Sequence, residues 1–294
     1  MILKWYSPAG VEITFSETSD TYRILKTFDG FSTLPVTHLT TVAPYQDGAT
    51  RSDTHAEPRE VSFDVLVRGP TPSDVQYAVQ VLAIALNPLP GPGSLILTTE
   101  DGTDYLLHCI GNNTPTVSPS RRSDRSQLVT IDLIAFDPFW YLYPNTIEYF
   151  GAGVPVVFPY VFPWMFPGSD PSKTLTNLGN VPTGVTIQVD GEITNPSISR
   201  TYINSSGVSV TETLAFTLAM VAGEVLTITT EFGNKTITLL HDDSTYDANP
   251  FQYLDSGSVF WQMVPGDNLV TVSSSAIEAG TVTSIEYASR YSGV

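Results

Sequence analysis

From Leu128 to Phe136 the chain alternates in a way that only an extended segment can use. Val129, Ile131, Leu133 and Ala135 fall on one face, and Leu128, Ile134 and Phe136 fall on the other, with Thr130 and Asp132 between them. The pattern predicts a central strand. Pro138 has no donor for a ladder, and Phe139, Trp140, Tyr141 and Tyr143 make an aromatic step at the exit, so the ladder is expected to stop at Asp137. Upstream, Val61, Phe63, Val65 and Val67 alternate with Ser62 and Asp64, a half-buried strand ended by Gly69-Pro70. Short strands are expected at residues 11–15 and 21–26, and residues 94–99 and 104–110 flank Asp101-Gly102 as a hairpin. One helix is signalled: Thr71 as N-cap, Pro72 at the first position, Asp74 three residues after the cap, then Val75, Ala78, Val79, Leu82, Ala83 and Leu86 before Asn87-Pro88.

Two intervals break the alternation. Residues 34–58 are polar and cut by Pro44, Asp47-Gly48 and Pro58, too long for an idle loop in a compact domain. Residues 151–171 are rich in Pro, Gly and aromatic rings, which predicts an extended connection. Beyond it, short strands are expected at residues 185–189, 195–202, 211–218, 225–230, 235–240, 259–263, 269–272 and 281–287, separated by turn signals. The expected organisation is a mainly β chain of two domains. Residues 1–150 form a β-sandwich-like domain with one helix, residues 151–171 the connection, and residues 172–294 a jelly-roll or galectin-like β-sandwich. With 294 residues, 21 Gly and 22 Pro, composition favours this over a helical bundle.

Charge narrows the partners. Thirteen Lys and Arg against 30 Asp and Glu leave a net charge of −17, unsuited to holding nucleic acid or anionic membranes. The one basic cluster in the sequence is Arg121, Arg122 and Arg125, read as a solvated loop or a contact with an acidic neighbour. A lone cysteine, Cys109, excludes an internal disulfide framework, and no apolar run is long enough to span a membrane. The start of the chain lacks the apolar core of a signal peptide, which leads to the expectation that it folds where it is made.

Catalytic and metal motifs are sparse. The sequence has no Gly-x-Ser-x-Gly and no phosphate-binding loop, and Gly91-x-Gly93 lacks the third glycine of a dinucleotide site. His108 and Cys109 are strand neighbours facing opposite ways, a poor metal pair. His241, Asp242, Asp243 and Asp247 lack the spacing of a calcium loop and read as a solvated turn. No enzyme activity, metal or cofactor is expected. A different reading uses the aromatics of the second half: Tyr202, Tyr246, Tyr253 and Trp261 could stack on sugar rings, making that domain a carbohydrate-binding module contacting the host envelope.

The order of several turn and strand-end signals carries a resemblance. Tyr22-Arg23-Ile24, the 43–48 stretch Ala-Pro-Tyr-Gln-Asp-Gly, Pro58-Arg59-Glu60-Val61, Leu86-Asn87-Pro88, Gly91-Pro92-Gly93-Ser94-Leu95 and the 135–140 stretch Ala-Phe-Asp-Pro-Phe-Trp follow one another, with 158–163 and the step from Ile187-Gln188-Val189-Asp190-Gly191 to Asn195-Pro196 behind them. Over nearly the whole chain this resembles the siphophage distal tail (Dit) proteins and their minor-tail relatives. The resemblance implies a structural protein of the virion tail tip, made in the host cytoplasm. Such proteins form a hexameric ring that joins the tube of a long non-contractile tail to tip, baseplate or fibre proteins, and DNA passes through the ring without being held. It also implies an arm from the first domain that embraces a neighbour. Residues 34–58 are the candidate, with Tyr45, Gln46, Asp47, Arg51 and Arg59 as contact residues.

Overall fold

The structure is a computed structural model that describes residues 2–151, 171–278 and 280–294. Its contacts divide the chain into two units, Met1–Tyr143 with Tyr291–Val294, and Pro144–Arg290. The first boundary falls before the expected residue 150, because the strand at 146–151 pairs within the second unit. The expected connection 151–171 lies outside the described residues apart from its two ends.

The first unit comprises β1 (Ile2–Tyr6), β2 (Glu12–Ser16), β3 (Tyr22–Asp29), β4 (Val36–Thr41), β5 (Thr50–Ala56), β6 (Arg59–Arg68), α1 (Pro72–Ala85), β7 (Gly93–Thr98), β8 (Asp104–Gly111), β9 (Thr116–Ser123), β10 (Ser126–Ala135) and β11 (Trp140–Tyr143). The expected central strand is β10. It pairs with β6 without a break from Ser126↔Arg68 to Ala135↔Arg59, and also with β9 and β8. Its pairing with β8 closes the sheet on itself through β7, β1, β2, β3 and β6. Inside lie Val61, Phe63, Val65, Val67, Val129, Ile131, Leu133 and Ala135, all buried, as the alternation requires. The opposite face of β10 is less uniform: Leu128 is buried, whereas Phe136, past the end of the ladder, is exposed.

Helix α1 starts with both halves of a capping box, the Thr71 hydroxyl accepting from the Asp74 backbone and the Asp74 carboxylate accepting from that of Thr71. Val75, Ala78, Leu82 and Ala85 form its buried stripe. At its far end Trp5 Nε1 donates to the Ala85 carbonyl at 2.8 Å, satisfying one of the acceptors that a helix end leaves open.

The second unit comprises β12 (Thr146–Gly151), β13 (Ser172–Asn177), β14 (Val185–Asp190), β15 (Ile193–Thr194), β16 (Ser197–Ile203), β17 (Ser209–Ala215), β18 (Ala219–Met220), β19 (Val225–Glu231), β20 (Asn234–Leu240), β21 (Gly266–Ser273), β22 (Ala276–Ile277) and β23 (Val282–Tyr287). Two larger sheets, β12-β23-β14-β19-β20 and β13-β21-β16-β17, make the sandwich, with a small third sheet of β18, β15 and β22. Ile187, Ile228, Leu239 and Ile285 from one sheet share a core with Leu175, Ile198, Leu214 and Val270 from the other. After β23 the chain returns through β24 (Arg290–Tyr291), whose Tyr291 ring meets Tyr105 edge-on in the first unit.

Candidate assembly surface

Residues 34–58 are a hairpin rather than an irregular loop. β4 and β5 pair with each other from Val36↔Ala56 to Thr41↔Thr50 and form a sheet of their own. Every residue of β4 is exposed, and of β5 only Thr54 is partly covered. Two strands with water on both faces have little independent stability, since neither face buries apolar surface. Val36, Leu39 and Val42 are 45%, 48% and 67% exposed.

The tip is more ordered than its exposure suggests. Ala43 N–H donates to Gln46 Oε1 at 2.9 Å, Gln46 N–H donates to the Ala43 carbonyl at 3.1 Å, and Gln46 Nε2 donates to Thr50 Oγ1 at 2.9 Å. This brace holds Tyr45 in the left-handed region, at φ 62°, with its side chain wholly in solvent. A tyrosine there costs roughly 1–2 kcal/mol relative to ordinary backbone, so the turn spends local strain to present the ring. Asp47 and Arg51 are also exposed on the hairpin, and Arg51 Nη1 donates to Thr54 Oγ1.

Arg59 corrects the sequence reading. It is fully buried and touches no exposed face of the hairpin. Its guanidinium donates to the carbonyls of Pro138 (2.6 Å), Gly30 (2.7 Å), Phe31 (2.9 Å) and Ser292 (2.5 Å). Burial lowers its pKa to about 10, which leaves it cationic at neutral pH. Arg59 therefore clamps the root of the hairpin, where the chain leaves and re-enters the barrel. Gly30 shares this root: its φ is +78°, and a Cβ there would stand 1.8 Å from the Glu60 carbonyl oxygen. Alternation gave no hint of this role, because an arginine beside Pro58 reads as a surface residue; the signal lay in its place at the first position of a core strand.

The second unit's aromatics do not form one open platform. Trp261 is 1% exposed and donates from Nε1 to the Ile198 carbonyl at 3.2 Å, so it is core. The Tyr202 ring is covered by the Arg200 guanidinium, 4.1 Å from its centroid, and Arg200 pairs with Glu212 across the β16–β17 ladder. Half-buried Tyr253 donates to Asp247 at 2.9 Å, and Tyr246 alone of the four is largely exposed, at 68%.

Tyr246, Tyr253 and Trp261 share a structural task instead. Residues 246–261 run between the outer edges of β20 and β17: Asp247 N–H donates to the Leu239 carbonyl, Thr217 N–H to Tyr253, Asp255 N–H to Ala215 and Val259 N–H to Thr213. The segment seals the open side of the sandwich and occupies edge groups that would otherwise pair with another chain. The strand expected at 259–263 is part of this seal. The nearby acidic turn is self-satisfied too. Asp243 accepts from Thr245 and Asp247 from Asn249 and Tyr253, which holds both carboxyls below their ordinary range, while His241 Nδ1 and Glu224 Oε1 are 2.5 Å apart. Among the described residues no cluster of His, Cys, Asp and Glu suits a metal ion.

Residues 178–291 match the family model of the siphovirus-type tail component, C-terminal domain. The whole chain is similar in fold to the Dit (gp 19.1) protein of phage SPP1, described as a paradigm of the hub adsorption apparatus in Gram-positive infecting phages. The TM-score is 0.65 at 13% identity, over 99% of both chains. It is also similar to a chain of the phage p2 baseplate in its activated conformation, solved with calcium and with strontium. Both matches have a TM-score of 0.52 at 10% identity, over 100% of this chain and 99% of that one. No curated protein matches. Residues 178–291 are thus similar to the siphovirus-type tail component family, and the whole chain has a Dit-like fold.

Proposed function

We propose that this chain is a non-enzymatic structural component of the tip of a long non-contractile phage tail, where copies form a ring, six in number, between the tail tube and the tip, baseplate or fibre proteins. The observation that carries this reading is the β4–β5 hairpin: a braced element with both faces in water has use when a neighbour covers it. The hub and baseplate settings of the two similar structures support the same reading. The acidic surface suits a ring that passes DNA without holding it. A sugar-stacking role for the second unit has less support, since Trp261 is core, Tyr202 is covered by Arg200 and Tyr253 is bonded to Asp247, which leaves Tyr246 as the one largely exposed ring of the four.

Light scattering after size exclusion tests the proposal on the full chain at tens of micromolar. A sixfold mass is expected, falling to a single copy when residues 36–56 are replaced by a short Gly-Ser turn. A single-copy mass for the intact chain, alone and with purified tube and tip proteins, overturns it.

A further inference from the structure

Four Asp-Gly steps occur in the chain, Asp29-Gly30, Asp47-Gly48, Asp101-Gly102 and Asp190-Gly191. At such a step the glycine nitrogen, unshielded by a side chain, stands one ring closure away from the aspartate side-chain carbon. Freedom to bring the two atoms together decides whether they react. Three of the four steps are held. Asp29 ends β3 opposite Ser62, its Oδ1 accepts from the Gly30 N–H at 2.9 Å, and the Gly30 carbonyl is tied to Arg59. Asp101 accepts from the Thr99 and Thr103 hydroxyls and the Thr103 N–H, which keeps its carboxyl below the ordinary range, while the Gly102 N–H donates to the Thr99 carbonyl at 3.1 Å. Asp190 closes β14 between Val225 and Val282, and the Gly191 N–H donates to the Glu224 carbonyl at 3.1 Å. Asp47 differs at each point. It and Gly48 are exposed, neither has a hydrogen bond or ion pair among the described residues, and nothing lies within 4 Å of where a Gly48 Cβ would be.

We propose that Asp47 is a self-modification site, at which the hairpin tip isomerises to isoaspartate. The Gly48 nitrogen attacks Asp47 Cγ and forms an N–Cγ bond; its proton passes to solvent, and the protonated carboxyl loses its hydroxyl as water, leaving a five-membered succinimide. A water molecule from solvent then adds to either ring carbonyl. Breaking the new N–Cγ bond restores aspartate, whereas breaking the original peptide bond leaves isoaspartate, with the main chain running through Cγ and the α-carboxylate free. Composition is unchanged, and nothing is oxidised or reduced. The product places one more atom in the main chain between Gln46 and Thr50, whose side chains are bonded at 2.9 Å, so the brace that holds Tyr45 in its left-handed turn is lost. Isomerisation thus separates older copies from fresh ones. Its effect on assembly rests on the ring reading above; the reaction itself does not.

The test incubates the full chain in mildly acidic buffer, dilute and concentrated, and follows each Asp-Gly step by peptide mapping with protein isoaspartate methyltransferase as the probe. In the dilute sample isoaspartate is expected to form at Asp47 about tenfold faster than at Asp29, Asp101 or Asp190. A rate at Asp47 no higher than at those three overturns the site. Light scattering on the same samples reads the consequence. Chains carrying isoaspartate at position 47 are expected to self-associate about tenfold more weakly than fresh ones, and Asp47→Ser, which cannot form the succinimide, is expected to keep its association over the same time. An equal loss in Asp47→Ser overturns the effect on assembly while the site stands. A single-copy mass for the fresh chain counts against the ring reading alone, because the rates at the four steps still decide the site.

Discussion

Arg59 donates to the carbonyl oxygen of Phe31 at 2.9 Å across the root of the exposed hairpin, and the Phe31 ring is stacked on Trp140, with centroids 5.8 Å apart. One buried cation thus holds together the hairpin's entry, its exit and the aromatic step after the central strand. Arg59→Met is expected to destabilise the first unit by about 3–5 kcal/mol, because it leaves carbonyls buried without donors. Arg59→Lys recovers only part of this, since one ammonium cannot reproduce the planar fork. Denaturant midpoints of the full chain measure both.

Residues 291–294 complete the same unit. Ser292 supplies an acceptor to Arg59, and Tyr291 meets Tyr105 edge-on at 5.3 Å. Deleting the four residues is expected to destabilise the first unit by roughly 2–4 kcal/mol, from one charge-assisted hydrogen bond and one aromatic pair. Cys109 reports it: it lies buried in that unit, and burial pushes its thiol up, so thiol reagents label it only after opening. The deletion should speed labelling in native buffer; an unchanged rate would count against the tail's role.

Trp261→Ala is expected to destabilise the second unit by about 3–5 kcal/mol through the cavity it leaves. Tyr246→Ala, at an exposed position, is expected to shift stability by about 0.5 kcal/mol or less. The contrast, read as separate unfolding midpoints, distinguishes a sealing segment from a row of ligand-facing rings.

His241 gives the second unit a pH dependence. Its hydrogen bond to Glu224 raises its pKa above 6.5, with Asp247 and Asp243 acting in the same direction. A raised folded value means that the contribution is fully present below pH 6.5 and is lost as pH climbs through the folded value. The second unit's melting temperature is therefore expected to fall over that window in the native chain, to fall less for Glu224→Gln, and to stay flat for His241→Asn. A fall of the same size in His241→Asn would refute the assignment.

Much of the architecture could be read from residue order, for local reasons. The Val61 to Val67 and Val129 to Ala135 alternations are strands buried on one face, and the Thr71–Asp74 box starts the helix where its chemistry says. β1 is hard to read because Ile2-Leu3-Lys4-Trp5-Tyr6 alternates only weakly, and β9 because its polar residues sit at an edge. The hairpin escaped as a pair of strands for a related reason: with neither face buried, nothing forces a hydrophobic period on it. The roles of Arg59 and Trp261 were illegible because both depend on carbonyls far away in sequence, at Ser292 and Ile198.

The return of residues 291–294 to the first unit also orders events in time. Synthesis delivers the barrel strands, then the whole of Pro144–Arg290, and only afterwards the Ser292 carbonyl that completes the Arg59 clamp. Until then the root of the hairpin lacks one of its ties. A nascent chain on the ribosome accordingly carries an unlatched arm, and the latch closes only once the second unit has been made.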